Sequence, residues 1–433
     1  MLFTNEKEKM RFVHSGRQLA VLAAGFAMIA SPVMAAEPDP VLGKPVFNHP
    51  PGSEAEQYAI FQQLARIIDR VPAGEHIEMS WFEFKVPYTT DTETKPNIPQ
   101  RLVKAHKRGV NVRIVLDNNT KDGNSNSNRY PYKTIAPELG TDSDADSYIV
   151  LCPDKKGCIG KRKLYTDSYA YNHNKFLIAT KIKLNDGSIV SDVVFQSSGN
   201  LGTWDADTSW NNAITWNETA SFANYRKYFS DLAANYNGPG NDNYYWIGDT
   251  DDKYKTHFFP RKETNGDLNQ ASTDSIVSAL KVVKCSYTGE EDGKKHQTDV
   301  RVVMWAFTRI AVAEKLAELA RNGCWVDVVY SEANDNIVAA LKNTGGKKIG
   351  ITKCGVAHEG RNLRPHSKYM LIDGAYDDDQ IPRVFTGSHN YAMTALRNAD
   401  ESLIRIRDKD IHYSYLHDNF YTVRDTCSGK TPL

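Results

Sequence analysis

The sequence lacks an excess of charge of either sign. Its 433 residues hold 53 lysines and arginines against 53 aspartates and glutamates, so the formal net charge is +0. A dedicated nucleic-acid-binding protein usually carries a basic excess or stripe that meets the phosphate backbone. The charge balance therefore weighs against a nuclease. Apolar residues make up 40% of the chain, which is typical of a globular protein and excludes a largely disordered one.

After its N-terminal region the sequence has no apolar run of transmembrane length. The one uninterrupted apolar stretch, Leu19–Ala30, follows the basic residues Arg11 and Arg17 and precedes small residues that end at Ala35. This order is typical of a signal peptide, so residues 1–35 are predicted to be cleaved. A membrane anchor is the weaker alternative, because the run is short for a spanning helix. We expect a soluble protein that is secreted or periplasmic.

The sequence also lacks Cys-x-x-Cys pairs, a phosphate-binding loop, a dinucleotide fingerprint and a His-Glu-x-x-His motif. No metal and no cofactor are therefore expected. Its 6 cysteines all follow the predicted signal peptide. An even number of cysteines in an exported chain predicts disulfides, with up to fifteen connectivities. Cys152 and Cys158 are close enough in sequence for a local disulfide, and the other pairings stay open.

An internal duplication is the main feature that the sequence does contain. Four elements recur in the same order: a Phe- and Pro-containing segment before a helix, a strand with a tryptophan, a helix that ends in glycine before a buried strand, and a His-x-Lys strand followed by a serine-containing turn. Four matching elements in register indicate a duplicated unit rather than chance. In the first copy they lie at 46–50, 77–82, 102–116 and 173–200, and in the second at 257–260, 300–307, 316–330 and 366–390.

The alternation of strand and helix signals predicts an α/β fold, with mixed β-sheets flanked by helices in two homologous halves. Residues 36–236 are expected to form the first half and residues 255–433 the second. A polar stretch rich in glycine and asparagine, 237–254, is predicted to link them. A second polar stretch, Thr120–Ser127, is predicted to be a mobile loop.

Two His-x-Lys motifs carry the chemistry that the sequence suggests. They are His173-x-Lys175 and His366-x-Lys368. On a strand, residues two apart point to the same side, so each lysine lies beside its histidine. A neutral imidazole can attack a phosphodiester, and a protonated imidazole can supply the proton that the leaving alkoxide needs. The lysine ammonium groups can offset the charge on the phosphoryl oxygens. One such motif is weak evidence for this chemistry, and two in a duplicated frame are strong evidence.

These motifs resemble the signature of the phospholipase D superfamily, which is His-x-Lys, four residues and Asp, with a downstream turn and asparagine. The second copy matches in full at His366, Lys368, Asp373, Ser388 and Asn390. Thr180 stands where the first copy would carry the aspartate, which some members of the superfamily also lack. The resemblance implies one active site at the interface between the two halves, a phosphohistidine intermediate and no metal. The first copy otherwise matches at His173, Lys175, Ser198 and Asn200.

The resemblance also implies roles for individual residues. His173 is expected to be the nucleophile, and His366 the general acid that later activates water. Glu401 follows Asn390 by eleven residues, where relatives carry a carboxylate that orients a catalytic histidine, and which histidine it supports stays open. We assign Asn212 to the comparable position of the first half, and we expect substrate contacts from it and from Ser198 and Ser388. The further residues expected to take part in catalysis are Lys175, Lys368, Asn200, Asn390 and Asp373.

Export, charge balance and aromatic residues near the first motif favour a phospholipase D, which hydrolyses glycerophospholipid to phosphatidic acid and the free head group. Trp204, Trp210 and Trp216 either line an acyl groove or pack at the edge of the cleft. Transfer to another alcohol would compete with hydrolysis. The expected partner is a phospholipid at a membrane surface, contacted transiently by a monomer with no stable protein partner. The alternatives are a secreted nuclease of the same superfamily, for which nucleic acid would be the partner, and an inactive binding or toxin-like module.

Overall fold

The structure is a computed structural model that describes residues 37–118, 125–166, 168–248 and 253–431. The predicted signal peptide, residues 1–35, lies outside the described residues, as does most of the predicted mobile loop Thr120–Ser127. The described end of that loop enters a short 3-10 turn, Asn126–Asn128. No helix in the described ranges is both long enough and apolar enough to span a bilayer.

The first half contains a seven-stranded mixed sheet. Its strands are β1 (Pro45–Phe47), β2 (His76–Trp81), β3 (Asn111–Leu116), β4 (Tyr148–Leu151), β5 (Lys175–Lys183), β6 (Ile189–Ser197) and β8 (Asn212–Asn217), and the short strand β7 (Ser209–Trp210) lies outside it. Across the sheet the order is β1-β8-β6-β5-β2-β3-β4. The β2-β3 and β3-β4 pairs are parallel and the others are antiparallel. The helices are α1 (Glu54–Gln57), α2 (Ala59–Asp69), α3 (Ile98–Lys107), α4 (Tyr130–Leu139), α5 (Thr203–Asp207) and α6 (Thr219–Asn235).

The second half contains an eight-stranded mixed sheet. Its strands are β9 (Trp246–Ile247), β10 (Tyr254–Phe258), β13 (Asp299–Phe307), β14 (Trp325–Ala333), β15 (Gly350–Lys353), β18 (Lys368–Asp373), β19 (Arg383–Gly387) and β20 (Ser402–Arg407), in the order β9-β10-β20-β19-β18-β13-β14-β15. The smaller strands are β11 (Ser286–Thr288), β12 (Lys295–Gln297), β16 (Val356–His358) and β17 (Arg361–Pro365). The helices are α7 (Ser275–Lys281), α8 (Ile310–Arg321), α9 (Asp335–Lys342), α10 (Met393–Arg397), α11 (Lys409–Ser414) and α12 (Tyr421–Cys427), with a π-helical turn, Tyr415–Phe420, joining the last two.

The two large sheets have the same topology. From β10 to β15 the second sheet repeats the order of the first sheet from β1 to β4, strand for strand, and β9 is an additional edge strand. The α/β fold of two similar halves is therefore confirmed. The stretch 237–254, which the sequence predicts to be a linker, contains β9. In this strand Trp246 and Ile247 pair with β10.

The two large sheets share one apolar core, because every second residue of their central strands points toward the other half. Phe176 and Ile178 of β5 lie in the same apolar cluster as Tyr369 and Leu371 of β18. The intervening residues point to the opposite faces, where each sheet is covered by its own helices. This alternation follows from the two-residue period of a strand, and it makes the interface between the halves part of the interior of the protein.

Three disulfides connect the six cysteines. Cys152 pairs with Cys158, as the short spacing suggested, and the other pairs are Cys285–Cys324 and Cys354–Cys427. The prediction of disulfides is therefore confirmed, and the structure resolves the connectivity that the sequence left open.

Candidate active site

The backbone of each His-x-Lys motif is hydrogen-bonded to the opposite half of the protein. The N–H of His173 donates to the carbonyl of Asp400, and the N–H of His366 donates to the carbonyl of Trp210, both at 2.9 Å. The parallel pairing of β7 with β17 extends this contact between the halves. Both histidines precede the first residue of their strands, and the two motifs are close enough for the charge of Lys175 to act on His366.

Glu401 supports the histidine of the first motif. Its Oε1 lies 2.9 Å from Nδ1 of His173, and the carboxylate is fully buried. Ser388 donates its hydroxyl to the other oxygen of the same carboxylate. A carboxylate at Nδ1 holds the proton there and leaves Nε2 as the nucleophilic nitrogen.

His366 is held by residues of the first half. Its Nδ1 lies 3.3 Å from Oδ1 of Asp205 and 3.2 Å from Oδ1 of Asn211. The hydroxyl of Ser198 donates to that asparagine oxygen at 2.9 Å. The N–H of Asn200 donates to Asp205 at 2.9 Å. Ser198 and Asn211 thus reproduce the geometry of Ser388 and Glu401 in the other half.

The structure corrects the position assigned to Asn212. Asn211, not Asn212, follows Asn200 by eleven residues, as Glu401 follows Asn390. The amide nitrogen of Asn212 donates instead to Thr386 at 2.8 Å and to Tyr415 at 2.9 Å. Neighbouring residues on a strand point to opposite faces, so an error of one residue moves the side chain away from the cleft.

The two serines that are predicted to contact substrate orient other side chains of the site. The hydroxyls of Ser198 and Ser388 donate to Asn211 and Glu401, and their contact with substrate stays a prediction. Both side chains are fully buried. They act through the residues that they orient, which makes them positioning residues.

Asp373 lies away from the cleft. It is the last residue of β18 and faces Asp299 across the sheet. Lys368 begins that strand, and five residues of strand span about 17 Å. The structure therefore places the carboxylate of Asp373 at the end of β18 far from Lys368, and its catalytic role stays a prediction.

The two lysines are buried beside the histidines. The ammonium of Lys175 donates to the carbonyl of His173 at 2.7 Å, and that of Lys368 donates to the carbonyls of His366 and Ser198. Burial lowers the pKa of Lys175 to about 8 and holds the pKa of Lys368 well below its usual range. Each ammonium also lowers the pKa of His366, to about 3, after the larger effect of burial. The two ammonium groups therefore lie close enough to His366 to act on its charge, and they can offset the charge of a bound anion there.

The carboxylates respond to burial and to these cations in opposite directions. Burial raises the pKa of Glu401 well above its usual range. Burial also opposes ionisation of Asp205, but the hydrogen bond and charge of His366 outweigh it and lower the pKa of that carboxyl. Asp205 is therefore the acid that stays ionised beside His366, which suits it to stabilise an imidazolium.

The two asparagines that are predicted to take part in catalysis have most of their surface covered. Asn200 is 7% exposed and Asn390 is 6% exposed. No described residue donates a hydrogen bond to the side-chain oxygen of either. Each follows the turn after β6 or β19, the strand next to its His-x-Lys strand, so the duplication places the two amides in equivalent positions.

Aromatic rings line both ends of the site. Phe82 and Tyr171 contact His173, with ring centroids 4.9 and 5.4 Å from the imidazole. Trp204 and Trp305 contact His366 in the same way, at 5.4 and 5.1 Å. Of the three tryptophans that the sequence suggested, only Trp204 is at the site, since Trp210 and Trp216 belong to the shared core.

Comparison with known proteins identifies the family of the chain. The family model described as "Cardiolipin synthase, PLD-like domain" matches residues 72–233 and 294–422, one stretch in each half. The chain belongs to the phospholipase D superfamily. It is therefore a phosphodiesterase of this superfamily. A search of curated protein sequences gives no significant match.

Two solved structures share the fold. Phosphatidylserine synthase from Haemophilus influenzae is 11% identical with a TM-score of 0.53, and the match covers 89% of this chain and 87% of that one. Polyphosphate kinase from Porphyromonas gingivalis is 13% identical with a TM-score of 0.52. That match covers 90% of this chain, which spans only 55% of the kinase. At these identities the likeness concerns the fold alone.

Proposed function

We propose that this phospholipase D superfamily member is an exported phospholipase D. It hydrolyses the distal phosphodiester of a glycerophospholipid to phosphatidic acid and the free head group. The observation that carries the proposal is the pair of imidazoles whose Nδ1 atoms are held by acids from opposite halves, Glu401 at His173 and Asp205 at His366. Their Nε2 atoms then serve one phosphorus from two sides.

In the first step, Nε2 of His173 attacks phosphorus and forms a P–N bond while the P–O bond to the head group breaks. The leaving alkoxide takes the proton from Nε2 of His366. In the second step, His366 takes a proton from water, the hydroxide attacks phosphorus, and the P–N bond breaks to restore His173. An alcohol in place of water gives transfer by the same route.

The cations of the cleft make this sequence of protonation states possible. Without substrate, burial and Lys368 keep the pKa of His366 at about 3, so the imidazole is neutral. A bound phosphodiester brings a negative charge that offsets the two lysine ammonium groups. The ammonium groups then repel a protonated His366 less strongly, and the pKa of His366 rises. The protonated imidazole that the leaving group needs therefore becomes accessible. The same anion favours the charged form of Lys175.

Charge, aromatic surface and disulfides support a lipid substrate and export. The chain carries no net charge to attract a polynucleotide. Trp204 and Trp305 are half-buried at the cleft and offer apolar surface beside a polar reaction centre. The three disulfides favour an oxidising compartment, in keeping with the predicted signal peptide.

The test is the incubation of purified enzyme with a panel of phospholipids and, separately, with plasmid DNA. We expect phosphatidic acid from lipid, and we expect it to disappear in His173→Ala and in His366→Ala. The exposed His296→Ala variant is the matched control and should keep full activity. Wild-type enzyme that has reacted with lipid radiolabelled in its phosphate, and is then denatured with SDS at neutral pH to preserve the P–N bond, should carry the label on His173. DNA nicking without any lipid cleavage would replace this proposal with the nuclease alternative.

A further inference from the structure

A polar cavity of about 570 Å³ reaches Arg364, two residues before His366 in the chain. It lies at the carboxyl ends of β13, β14 and β15, where open α/β sheets commonly bind ligands. The side chains that give it its chemistry are Ser331, Glu332, Asn334, Lys353, Asn362 and Arg364.

Two ring contacts connect this cavity to the catalytic histidine. The guanidinium of Arg364 lies 4.9 Å from the ring centroid of Trp305, and Trp305 lies 5.1 Å from His366. Trp204 lies 5.5 Å from Trp305, and the guanidinium of Arg364 lies 5.8 Å from the ring centroid of Trp204. In addition, the hydroxyl of Ser331 donates to the carbonyl of Pro365, the residue before the histidine. The cavity therefore lies next to His366, the proposed general acid.

The direction of attack determines which part of the substrate enters this compartment. In a phosphoryl transfer the nucleophile and the leaving oxygen are roughly in line. Under the proposed function His173 attacks and His366 protonates the leaving oxygen, so the leaving alcohol extends past His366. Trp204 and Trp305 contact His366, and Arg364 lies against Trp305, so these side chains are near the leaving alcohol.

The charges of the cavity select the kind of leaving alcohol. Its charged side chains are Arg364, Lys353 and Glu332, and Glu332 lies 3.5 Å from the guanidinium of Arg364. The Nε of Arg364 is buried without an acceptor among the described residues. The guanidinium already occupies the face of Trp305, the position that a quaternary ammonium group would need for a cation–π contact. An anion fits this site, and a cationic head group does not.

We propose that this cavity is a leaving-group subsite for an alcohol that carries a second phosphate, bound by Arg364 and Lys353. The inference rests on the proposed function, since it assigns the specificity of the same reaction. Two cations and one carboxylate can hold a single additional phosphate, whereas a polynucleotide would need a continuing basic track. The structure therefore favours a lipid with two phosphates over nucleic acid. Glu332 competes with the second phosphate for Arg364.

The experiment compares substrates that differ only beyond the reacting phosphodiester. Cardiolipin, whose leaving alcohol carries a second phosphate, and phosphatidylglycerol, whose leaving alcohol is glycerol, are hydrolysed in mixed micelles with a neutral detergent. The measured quantity is the ratio of their kcat/KM values. A second arm compares the trinucleotide d(TpTpT) with the dinucleotide d(TpT). The variants are Lys353→Glu, Glu332→Gln and, as a control on α7, Lys281→Glu.

We expect the wild-type enzyme to prefer cardiolipin. Lys353→Glu should lower the ratio by about threefold to tenfold, the effect of reversing one partly exposed charge, and Glu332→Gln should raise it. Lys281→Glu should leave it unchanged. If phosphatidylglycerol is cleaved as well as cardiolipin and the ratio moves in neither variant, the subsite is wrong while the proposed function stands. If only the nucleotide ratio responds, the lipid source of the second phosphate is wrong. If the wild-type enzyme cleaves no lipid, the proposed function falls first, and this inference falls with it.

Discussion

At the scale of single residues, the two histidines are supported by acids that are not related by the duplication. Glu401, on β20, serves His173, and Asp205, on α5, serves His366. The counterpart of Glu401 in the first copy is Asn211, and the counterpart of Asp205 in the second copy is Ala395. The carboxylates that support the two histidines therefore occupy different positions of the repeated unit.

This asymmetry explains which site residues the sequence could predict. A comparison of the two copies finds residues that both retain, which is how the histidines, lysines and asparagines were identified. Asp205 occurs in one copy only, so no repeat pointed to it. Trp305 was missed for another reason, because its contact with His366 joins elements far apart in sequence. The signal that could have revealed Asp205 is an acid five residues after Asn200, in the short helix after the turn.

The first prediction concerns Asp205→Asn, which removes the charge beside His366 and keeps the shape of the side chain. We expect steady-state hydrolysis of phospholipid to fall by about a hundredfold, because the imidazolium loses its stabilising anion. The effect should depend on the leaving group. With bis(4-nitrophenyl) phosphate, whose leaving group needs no proton, the variant should still release a burst of one equivalent of 4-nitrophenol.

The matched control is Asp207→Asn, two residues further along α5, whose carboxylate accepts a hydrogen bond from Thr208. It should retain both activities. Loss of the burst in Asp205→Asn would mean that this acid supports attack by the nucleophile, and would contradict its assignment to the general acid.

At the scale of elements, the position of the site follows from how the strands end. The alternating pattern predicted the strands and their duplicated order, because it depends on local burial. It could not predict that each motif donates its backbone N–H to the other half, since those bonds join residues more than 150 positions apart. The pairs are His173 with Asp400, and His366 with Trp210.

One of these contacts also depends on a disulfide loop. The side chain of Asp400 accepts hydrogen bonds from the N–H groups of Cys158, Ile159 and Gly160, at 2.6, 3.1 and 2.7 Å. Its carbonyl accepts the N–H of His173, and the next residue is Glu401. The loop closed by the Cys152–Cys158 disulfide thus supports the nucleophile through one residue.

The second prediction compares two disulfides. Cys152 and Cys158 are 6 residues apart, whereas Cys285 and Cys324 are 39 apart. In the chain-entropy model, removing the first should cost about 2 kcal/mol of unfolding free energy and removing the second about 4 kcal/mol. We expect the reverse order for catalysis. The Cys152→Ser/Cys158→Ser variant should lose about tenfold in kcat on bis(4-nitrophenyl) phosphate, because the Asp400 contact is loosened.

Cys285→Ser/Cys324→Ser is its control, and at a temperature where it remains folded it should keep wild-type kcat. Urea titration gives the stability of both variants, so that a loss of activity from unfolding is distinguished from a loss of positioning. Equal kcat values in the two variants would show that the disulfide loop does not support His173.

At the scale of the whole molecule, two copies of one sheet form a single interior and a single active site. Phe176 from one sheet and Tyr369 from the other belong to the same core. Each catalytic histidine depends on an acid from the opposite half. Folding and assembly of the site are therefore one event, and anything that destabilises the interface removes the chemistry with it.

The same burial makes the whole fold sensitive to acid. It lowers the pKa of His257 and of His366 to about 3, that of His412 to about 4, and that of His389 well below its usual range. An unfolded histidine titrates near pH 6.5. Below that pH the unfolded chain binds protons that the folded chain does not, so the stability due to neutral histidines is complete above about pH 6.5 and is lost as the pH falls toward 4. Two buried carboxyls act in the opposite sense, because the pKa of Asp400 is raised to about 7 and that of Glu401 is also raised.

The third prediction isolates one histidine from this balance. Each buried neutral histidine contributes up to about 1.4 kcal/mol per pH unit to the slope of unfolding free energy between about pH 4.5 and 6. His412→Leu should lower that slope by about this amount. The variant lacks the imidazole whose pKa of about 4 in the folded protein differs from its pKa in the unfolded chain. The measurement is urea unfolding at several pH values, and it depends on the slope rather than on the absolute stability of the variant. His257→Leu, on β10, should give a similar decrease, and an unchanged slope in both variants would mean that these imidazoles already bind protons in the folded protein.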